Sequence, residues 1–230
     1  VWICSLPILW AASWPSCAST QNLQPLIADT ASDHRRIYQA SLRPASETFC
    51  PHQAIDVIRT ALPLEGVLAF DVGAHTHQVS GQWAATGPRR FLITNGWSSM
   101  GFGLPAAIAA KLARPDLSVV CVLGDGCFQM TCGELATAKR AGLALPIVVL
   151  DDSLLGLIVI KQEQRQFGVY GTELGNNPPK PPAHYFGVPA TLARSTDELD
   201  AALREAFVAD GPTVIHTAVD PAHYFETVFD

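Results

Sequence analysis

The chain is short of charge. Asp, Glu, Lys and Arg make up only 16% of its 230 residues, against 48% hydrophobic residues. That shortage predicts strands buried on both faces and a large subunit interface. Basic residues are the scarcer sign: 15 Lys and Arg against 21 Asp and Glu leave a net charge of −6. This balance argues against a nucleic-acid footprint, which needs a basic patch. Zinc-type cysteine pairs are missing. Cys4, Cys17, Cys50, Cys121, Cys127 and Cys132 include no C-x-x-C pair, so no zinc site is expected. Cys121 lies in a strand-like run and reads as a small buried hydrophobe. The set reads as free thiols in an intracellular, cytoplasmic protein. Long unbroken apolar runs are also lacking. Residues 1–10 look like a secretory core, but there is no initiator Met and no basic flank, and Pro7 and Pro15 interrupt the run. Neither a signal peptide nor a membrane span is expected.

What is present is a single alternating pattern. Residues 1–48 show no clear period and read as the tail of a preceding domain plus a linker around 41–46. A chain that begins at Val1 reads as part of a longer protein, or as one subunit of a split enzyme. Residues 49–230 are enough for one domain with a full core. Helices are expected over 51–62, 104–112, 131–142, 154–166 and 195–209, the last opening on Ser195-Thr-Asp-Glu198, a capping-box pattern. Strands are expected over 67–71, 91–94, 117–124, 145–152 and 212–219. Strands alternating with helices imply an α/β fold: a doubly wound, mostly parallel sheet flanked by helices.

Two of those strands end in acids. Asp125 sits between Gly124 and Gly126 after one apolar run, and Asp152 closes the next. In open α/β sheets the carboxyl edge is where ligands bind. Two carboxylates there suit a hard divalent cation that bridges to phosphate. Glycines beside Asp125 let backbone N–H groups come close to that phosphate. A nicotinamide site is the competing reading. Gly101-Phe-Gly-Leu-Pro-Ala106 fits G-x-G-x-x-A, and Asp125 follows about 20 residues on. Against it, the stretch from Thr94 to Gly101 is too long for the tight first turn of that fingerprint.

Gly124-Asp-Gly126, with a carboxylate 27 positions after its Asp, resembles the metal motif of the thiamine diphosphate-dependent enzymes. Three more segments carry the likeness. Asp71-Val-Gly-Ala-His-Thr76 resembles the first diphosphate loop of acetolactate synthases. Asn95-Gly-Trp-Ser-Ser-Met-Gly-Phe-Gly-Leu-Pro-Ala-Ala107 resembles the loop and helix under the aminopyrimidine ring. Gly124-Asp-Gly-Cys-Phe-Gln-Met130 followed by Glu134-Leu-Ala-Thr137 resembles the metal loop and its helix. The likeness spans about 49–230, the C-terminal cofactor-binding domain of an acetolactate synthase-like or 2-oxo acid decarboxylase-like enzyme.

The resemblance implies a lyase or transferase that decarboxylates or joins 2-oxo acids with thiamine diphosphate and Mg²⁺. Asp125, Asp152 and the Leu154 carbonyl would hold the Mg²⁺. Gly73, Ala74, His75, Gly124, Gly126 and Cys127 would approach the diphosphate, with Gly156 and Leu157 lining the same pocket. Met100, 25 positions before Asp125, would hold the cofactor bent, and the Ser98 carbonyl would accept from its 4′-amino group. In this family a Glu on a pyrimidine-binding domain, supplied across a homodimer or homotetramer interface, acts on the cofactor ring; 49–230 offers no counterpart. A binding module that keeps the cofactor for structure or sensing without turnover is an alternative from another class.

Plainer roles stand beside these. His75 could cap a turn, Met100 could be core, and Glu134 reads as helix support. Cys127 and Cys132 are not expected to be catalytic. Lys161-Gln-Glu-Gln-Arg165 is either a solvated helix face or part of the active-site mouth. Two positions depart from the family. Asp152 stands where it has Asn, adding charge beside a diphosphate. Lys161 stands where acetolactate synthases have a substrate-channel Trp, which argues against acetolactate synthase activity itself within the 2-oxo acid class.

Overall fold

The computed structural model describes residues 48–175, 178–225 and 228. The expected linker and preceding tail, with Cys4 and Cys17, lie outside them apart from residue 48. Helix α1 (Pro51–Ala61) opens the described chain. Pro51 fills its first position, where a missing N–H costs nothing. Gln53 Oε1 accepts the Cys50 amide at 3.0 Å. The strands are β1 (Val67–Phe70), β2 (Phe91–Leu92), β3 (Val119–Gly124), β4 (Pro146–Asp151), β5 (His184–Tyr185), β6 (Val188–Ala193) and β7 (Thr213–Ala218). Between them run α2 (Ala74–Gln82), α3 (Gly103–Ala113), α4 (Asp125–Thr131), α5 (Leu135–Arg140), α6 (Gly156–Gln164) and α7 (Thr196–Phe207).

The sheet order is β2-β1-β3-β4-β7-β6-β5. Every pairing is parallel except β5 with β6. β3 and β4 are buried almost throughout, and alternation then sends successive side chains to opposite layers. Val120, Val122, Val148, Leu150 and Ile215 meet α1 and α7 through Ala54, Ile55, Ile58, Leu199 and Leu203. Val119, Cys121, Leu123, Ile147 and Val214 meet α3 and α5 through Leu104, Ala107, Leu135 and Ala138. The low charge of the chain is thus partly explained by a sheet covered on both faces. Ser195 caps α7, its Oγ accepting the Glu198 amide at 3.2 Å.

Strand order also locates a crevice. From β1 the chain crosses by α2 to β2 on one side; from β3 it crosses by α4 and α5 to β4 on the other. The two connections diverge, so the carboxyl ends of β1 and β3 form the switch point where such sheets bind ligands.

The boundaries differ from the expected ones in informative places. The expected diphosphate loop at 71–76 turns helical at Ala74, where α2 begins. The expected glycine loop at Asp125 is absent: β3 passes directly into α4, with Asp125 its first residue. The expected helix over 131–142 is broken, with a 3₁₀ turn at Cys132–Glu134 before α5. The antiparallel β5 and the edge-side β6 had no counterpart in the hydrophobic pattern. Their segment alternates weakly and contains Pro189. Cys50, Cys121 and Cys127 are buried free thiols and Cys132 a partly exposed one. No helix among the described residues is long and apolar enough to cross a membrane.

Candidate cofactor site

A cleft opens at the switch point. Val72, Gly73, Ala74 and His75 enter it from the end of β1, and Gly124, Asp125, Gly126 and Cys127 from the end of β3. Leu150, Asp152, Leu154, Leu155, Gly156, Leu157 and Ile158 enter from β4 and α6, with Met100 and Tyr224 at its sides. Twelve of the thirteen residues singled out from sequence therefore share one cavity. The exception is Ser98, which is exposed and does not line it. Its loop turns outward there through left-handed backbone at Gly96 and Ser98.

Asp71 organises the Met100 loop. Its fully buried carboxylate accepts the amides of Val72 at 2.8 Å, Gly101 at 3.1 Å and Gly103 at 2.9 Å. Gly101 takes φ of +87°, a conformation that strains any side chain. Ten residues, 93–102, separate β2 from α3. This is not the tight strand-to-helix turn of a dinucleotide fingerprint, and the Gly101–Ala106 motif serves another purpose.

On the β1 side, Thr76 Oγ1 accepts the Gly73 amide at 2.8 Å and donates to the Asp71 carbonyl at 3.0 Å. His75 packs against Gly73 and Gly124. Burial lowers its pKa to about 4, although the Asp71 charge opposes that. The ring is therefore neutral, and its buried Nε2 has no partner among the described residues. A turn-capping role leaves that atom unused; a ligand in the cleft would use it. Burial and the Asp71 charge push the Cys127 thiol up to about 12, so Cys127 is no nucleophile. Its Sγ instead meets the Val72 carbonyl at 3.0 Å.

The acids form the electrostatic centre. Asp125 Oδ1 accepts the Gly126 amide at 2.8 Å, while its Oδ2 is buried without a partner among the described residues. Burial, then the charges of Asp152 and Asp151, raise the pKa of Asp125 to about 8. Burial also raises Asp152 to about 7, against the Leu154 amide that its Oδ1 accepts at 3.0 Å. Among the described residues neither carboxylate forms a salt bridge with a basic side chain. No cluster of three or more His, Cys, Asp and Glu side chains suited to a metal occurs among the described residues. Asp125, Asp152 and Leu154 all line the cleft, and carboxylate and main-chain oxygens of this kind could hold a hard cation better than a softer one.

Tyr224 was not legible in the sequence. It is buried against the acids, carried by a 3₁₀ turn that Asp220 and Pro221 start; that Asp-Pro pair was the available signal. Lys161 does not line the cleft. It is half-buried on α6, and its charge acts on His77.

The structure is thus an α/β domain whose switch-point cleft brings together glycines, a neutral His and an acid pair. Residues 71–217 match the family model described as "Thiamine pyrophosphate enzyme, C-terminal TPP binding domain". The chain is 39% identical over 162 residues to acetolactate synthase isozyme 2 large subunit of Escherichia coli (strain K12), covering 69% of this chain and 29% of that protein. It is 32% identical over 194 residues to chloroplastic acetolactate synthase 2 of Nicotiana tabacum, covering 79% and 29%. Among solved structures, a thiamine diphosphate-dependent 4-hydroxybenzoylformate decarboxylase of Rhodococcus jostii RHA1 superposes with a TM-score of 0.68 at 21% identity, over 79% of this chain and 35% of that one. The chain belongs to the thiamine pyrophosphate enzyme family, within its C-terminal TPP binding domain. It spans less than a third of the length of the two curated relatives.

Proposed function

We propose that this chain supplies the diphosphate- and Mg²⁺-binding part of an enzyme that decarboxylates or joins 2-oxo acids. The observation that carries the reading is the buried acid pair at the switch point, with Asp125 Oδ2 unpartnered among the described residues. Asp125, Asp152 and the Leu154 carbonyl would hold Mg²⁺. Gly73, Ala74, His75, Gly124, Gly126 and Cys127 would receive the diphosphate, and Gly156 and Leu157 would close the pocket. Thiamine diphosphate, when bound, supplies the electron sink for chemistry at a 2-oxo acid carbonyl.

The chain's own contribution is binding, orientation and a dry environment. Leu150, Leu154, Leu155 and Leu157 give the cleft an apolar wall that would shed water when a ligand fills it. That strengthens the attraction between the acids and a cation. Met100, held by the Asp71-anchored loop, stands beside Gly126 with its Cε about 3.2 Å from where a Cβ there would lie; it would brace the bent cofactor. The Ser98 carbonyl would act only after its exposed loop folded inward. The complementary pyrimidine-binding domain would come from a second subunit, in a homodimer or homotetramer in the cytoplasm. Lys161, where acetolactate synthases have a Trp, argues against acetolactate synthase activity itself and leaves the wider 2-oxo acid class open.

Calorimetry on the full-length protein with thiamine diphosphate, with and without Mg²⁺, tests the reading. Mg²⁺-dependent binding that Asp125→Ala abolishes is expected, with CO₂ released from at least one of a panel of 2-oxo acids. Binding indifferent to both Mg²⁺ and Asp125→Ala would remove the cofactor site. Binding without CO₂ release would leave a module that holds the cofactor without turnover.

A further inference from the structure

A second cleft, of about 640 Å³, shares Asp125 with the first and is lined in part by Asp151, Ser153, Tyr185 and His216. Three strands bring a hydrogen-bonded chain to it. His216 Nδ1 on β7 lies 2.7 Å from Asp151 Oδ2 at the end of β4. Tyr185 OH on β5 lies 3.1 Å from His216 Nε2. Asp151 and His216 are both buried. Phe128 stands edge-on to the imidazole at 5.5 Å, and Tyr185 stacks on it at 5.7 Å. A carboxylate only accepts, so His216 Nδ1 donates to Asp151, while Nε2 and the Tyr185 hydroxyl share the second hydrogen bond.

The other oxygen of Asp151 shows what this chain holds. Oδ1 accepts the Ser153 amide at 3.2 Å and the Ser153 hydroxyl at 3.4 Å. Ser153 sits at φ +60°, a left-handed conformation that strains a non-glycine residue and persists only where its surroundings enforce it. Leu174 supports the turn from the other side, its amide donating to the Ser153 carbonyl at 2.9 Å. Ser153 is the residue between Asp152 and Leu154, the two cation ligands proposed on this turn. Asp151 is thus a hub, with one oxygen on the strained turn and the other on His216.

We propose that His216 and Tyr185 are positioning residues for the cation site: they orient Asp151, which keeps the Asp152–Ser153–Leu154 turn in its strained, ligand-presenting form. The inference rests on the cofactor-site reading above. It assigns a use to two polar side chains that lie outside the cofactor cleft.

The test is the Mg²⁺ concentration that half-saturates thiamine diphosphate binding to the full-length protein, measured beside thermal unfolding without metal. His216→Leu should raise that concentration about tenfold, the lower end of what losing a supporting residue costs a metal site, because His216 acts through Asp151 and not on a ligand directly. His216→Asn places an amide N–H where Nδ1–H was and should return it to within about threefold of the natural protein. Tyr185→Phe, which frees one end of the chain, should raise it about threefold. An unchanged value for His216→Leu overturns the inference. So does equal impairment in His216→Leu and His216→Asn, because that pattern marks packing alone. If His216→Leu does not fold, Tyr185→Phe decides: a rise supports the inference and an unchanged value overturns it. Absence of any Mg²⁺-dependent binding in the natural protein would instead remove the underlying cofactor reading, and this inference with it.

Discussion

Asp71 Oδ2 accepts the Gly103 amide at 2.9 Å, across 32 residues of chain. The end of β1 is thereby fastened to the start of α3. The Gly101 amide adds 3.1 Å contacts to both carboxylate oxygens, so the loop carrying Met100 is held by one buried acid. The same acid shapes the β1 side of the cleft: its backbone carbonyl receives Thr76 and its charge acts on His75 and Cys127.

Asp71→Ala should therefore be among the most damaging single substitutions in the chain. It strands three amides in a buried place, each worth about 1–3 kcal/mol when left unsatisfied. A loss of at least about 3 kcal/mol is expected by urea unfolding, with the Mg²⁺-dependent cofactor affinity lost as well. Asp71→Asn keeps one acceptor oxygen and should fall between the two. An Ala variant of natural stability would show that the loop is held by other contacts.

The acid pair makes metal-free stability depend on pH in a definite direction. Asp125 and Asp152 are raised to about 8 and about 7, while an unfolded carboxylate titrates near 4. Across that window the folded chain keeps protons that the unfolded chain has released, so stability falls as pH rises from about 4 to about 8. The effect is on the order of a few kcal/mol, at about 1.4 kcal/mol for each tenfold gain in proton affinity on folding. Asp125→Asn should remove roughly half of this slope, leaving the share of Asp152, and its advantage over the natural chain should grow toward pH 8. Mg²⁺ displaces the same protons, so its affinity should climb over the same range. Denaturation curves at several pH values, with and without Mg²⁺, check both. Parallel pH profiles for the natural chain and the variant would contradict the raised values.

How far the sequence alone reached follows from what each signal depends on. β3 and β4 were legible because strands buried on both faces read as continuous apolar runs. The site residues at strand ends were legible because each lies next to such a run or inside a short motif. Local geometry beyond the motif was not. Nothing in Asp71-Val-Gly-Ala-His-Thr76 announces that α2 starts at Ala74, since the residues that follow include Thr, His and Gly, all weak helix formers. Tertiary neighbours were invisible for the same reason: Tyr224, and the meeting of Tyr185 with His216 and Asp151, depend on strands 31 and 65 residues apart. Ser98 shows the limit of a motif, which names a residue without saying which way its loop turns.

Asp152→Asn separates the two consequences of the additional acid. Asn retains the oxygen that accepts the Leu154 amide but removes a charge that raises Asp125. Metal-free stability at pH 8 should therefore rise by at least about 1 kcal/mol, as Asp125 gives up roughly a tenfold excess of proton affinity and the raised carboxyl of Asp152 is itself removed. Mg²⁺ alone should bind about tenfold more weakly, because an amide oxygen attracts a hard cation less than a carboxylate does. Thiamine diphosphate without metal should bind more tightly, having one charge fewer to meet. Equal Mg²⁺ affinity in the two proteins would show that Asp152 does not face the cation.

Gly126→Ala tests whether the floor of the cleft is in contact with the cofactor. A methyl group there would come within 2.8 Å of Leu155 Cδ2 and 3.2 Å of both Leu174 Cδ1 and Met100 Cε. All three are ends of flexible side chains, so the backbone need not move. Overpacking of this kind costs about 1–3 kcal/mol, and the low end is expected here. Leu155 and Met100 both line the cleft, so any shift that makes room for the methyl changes its walls. The variant should fold, lose about 1 kcal/mol of stability, and bind thiamine diphosphate at least about tenfold more weakly, a difference of about 1.4 kcal/mol. Gly133→Ala is the control, because nothing lies within 4 Å of a Cβ at that position; it should change neither quantity. Loss of affinity in Gly126→Ala with stability nearly kept would favour direct contact between this floor and the cofactor. Natural affinity in Gly126→Ala would place the cofactor elsewhere on the sheet edge.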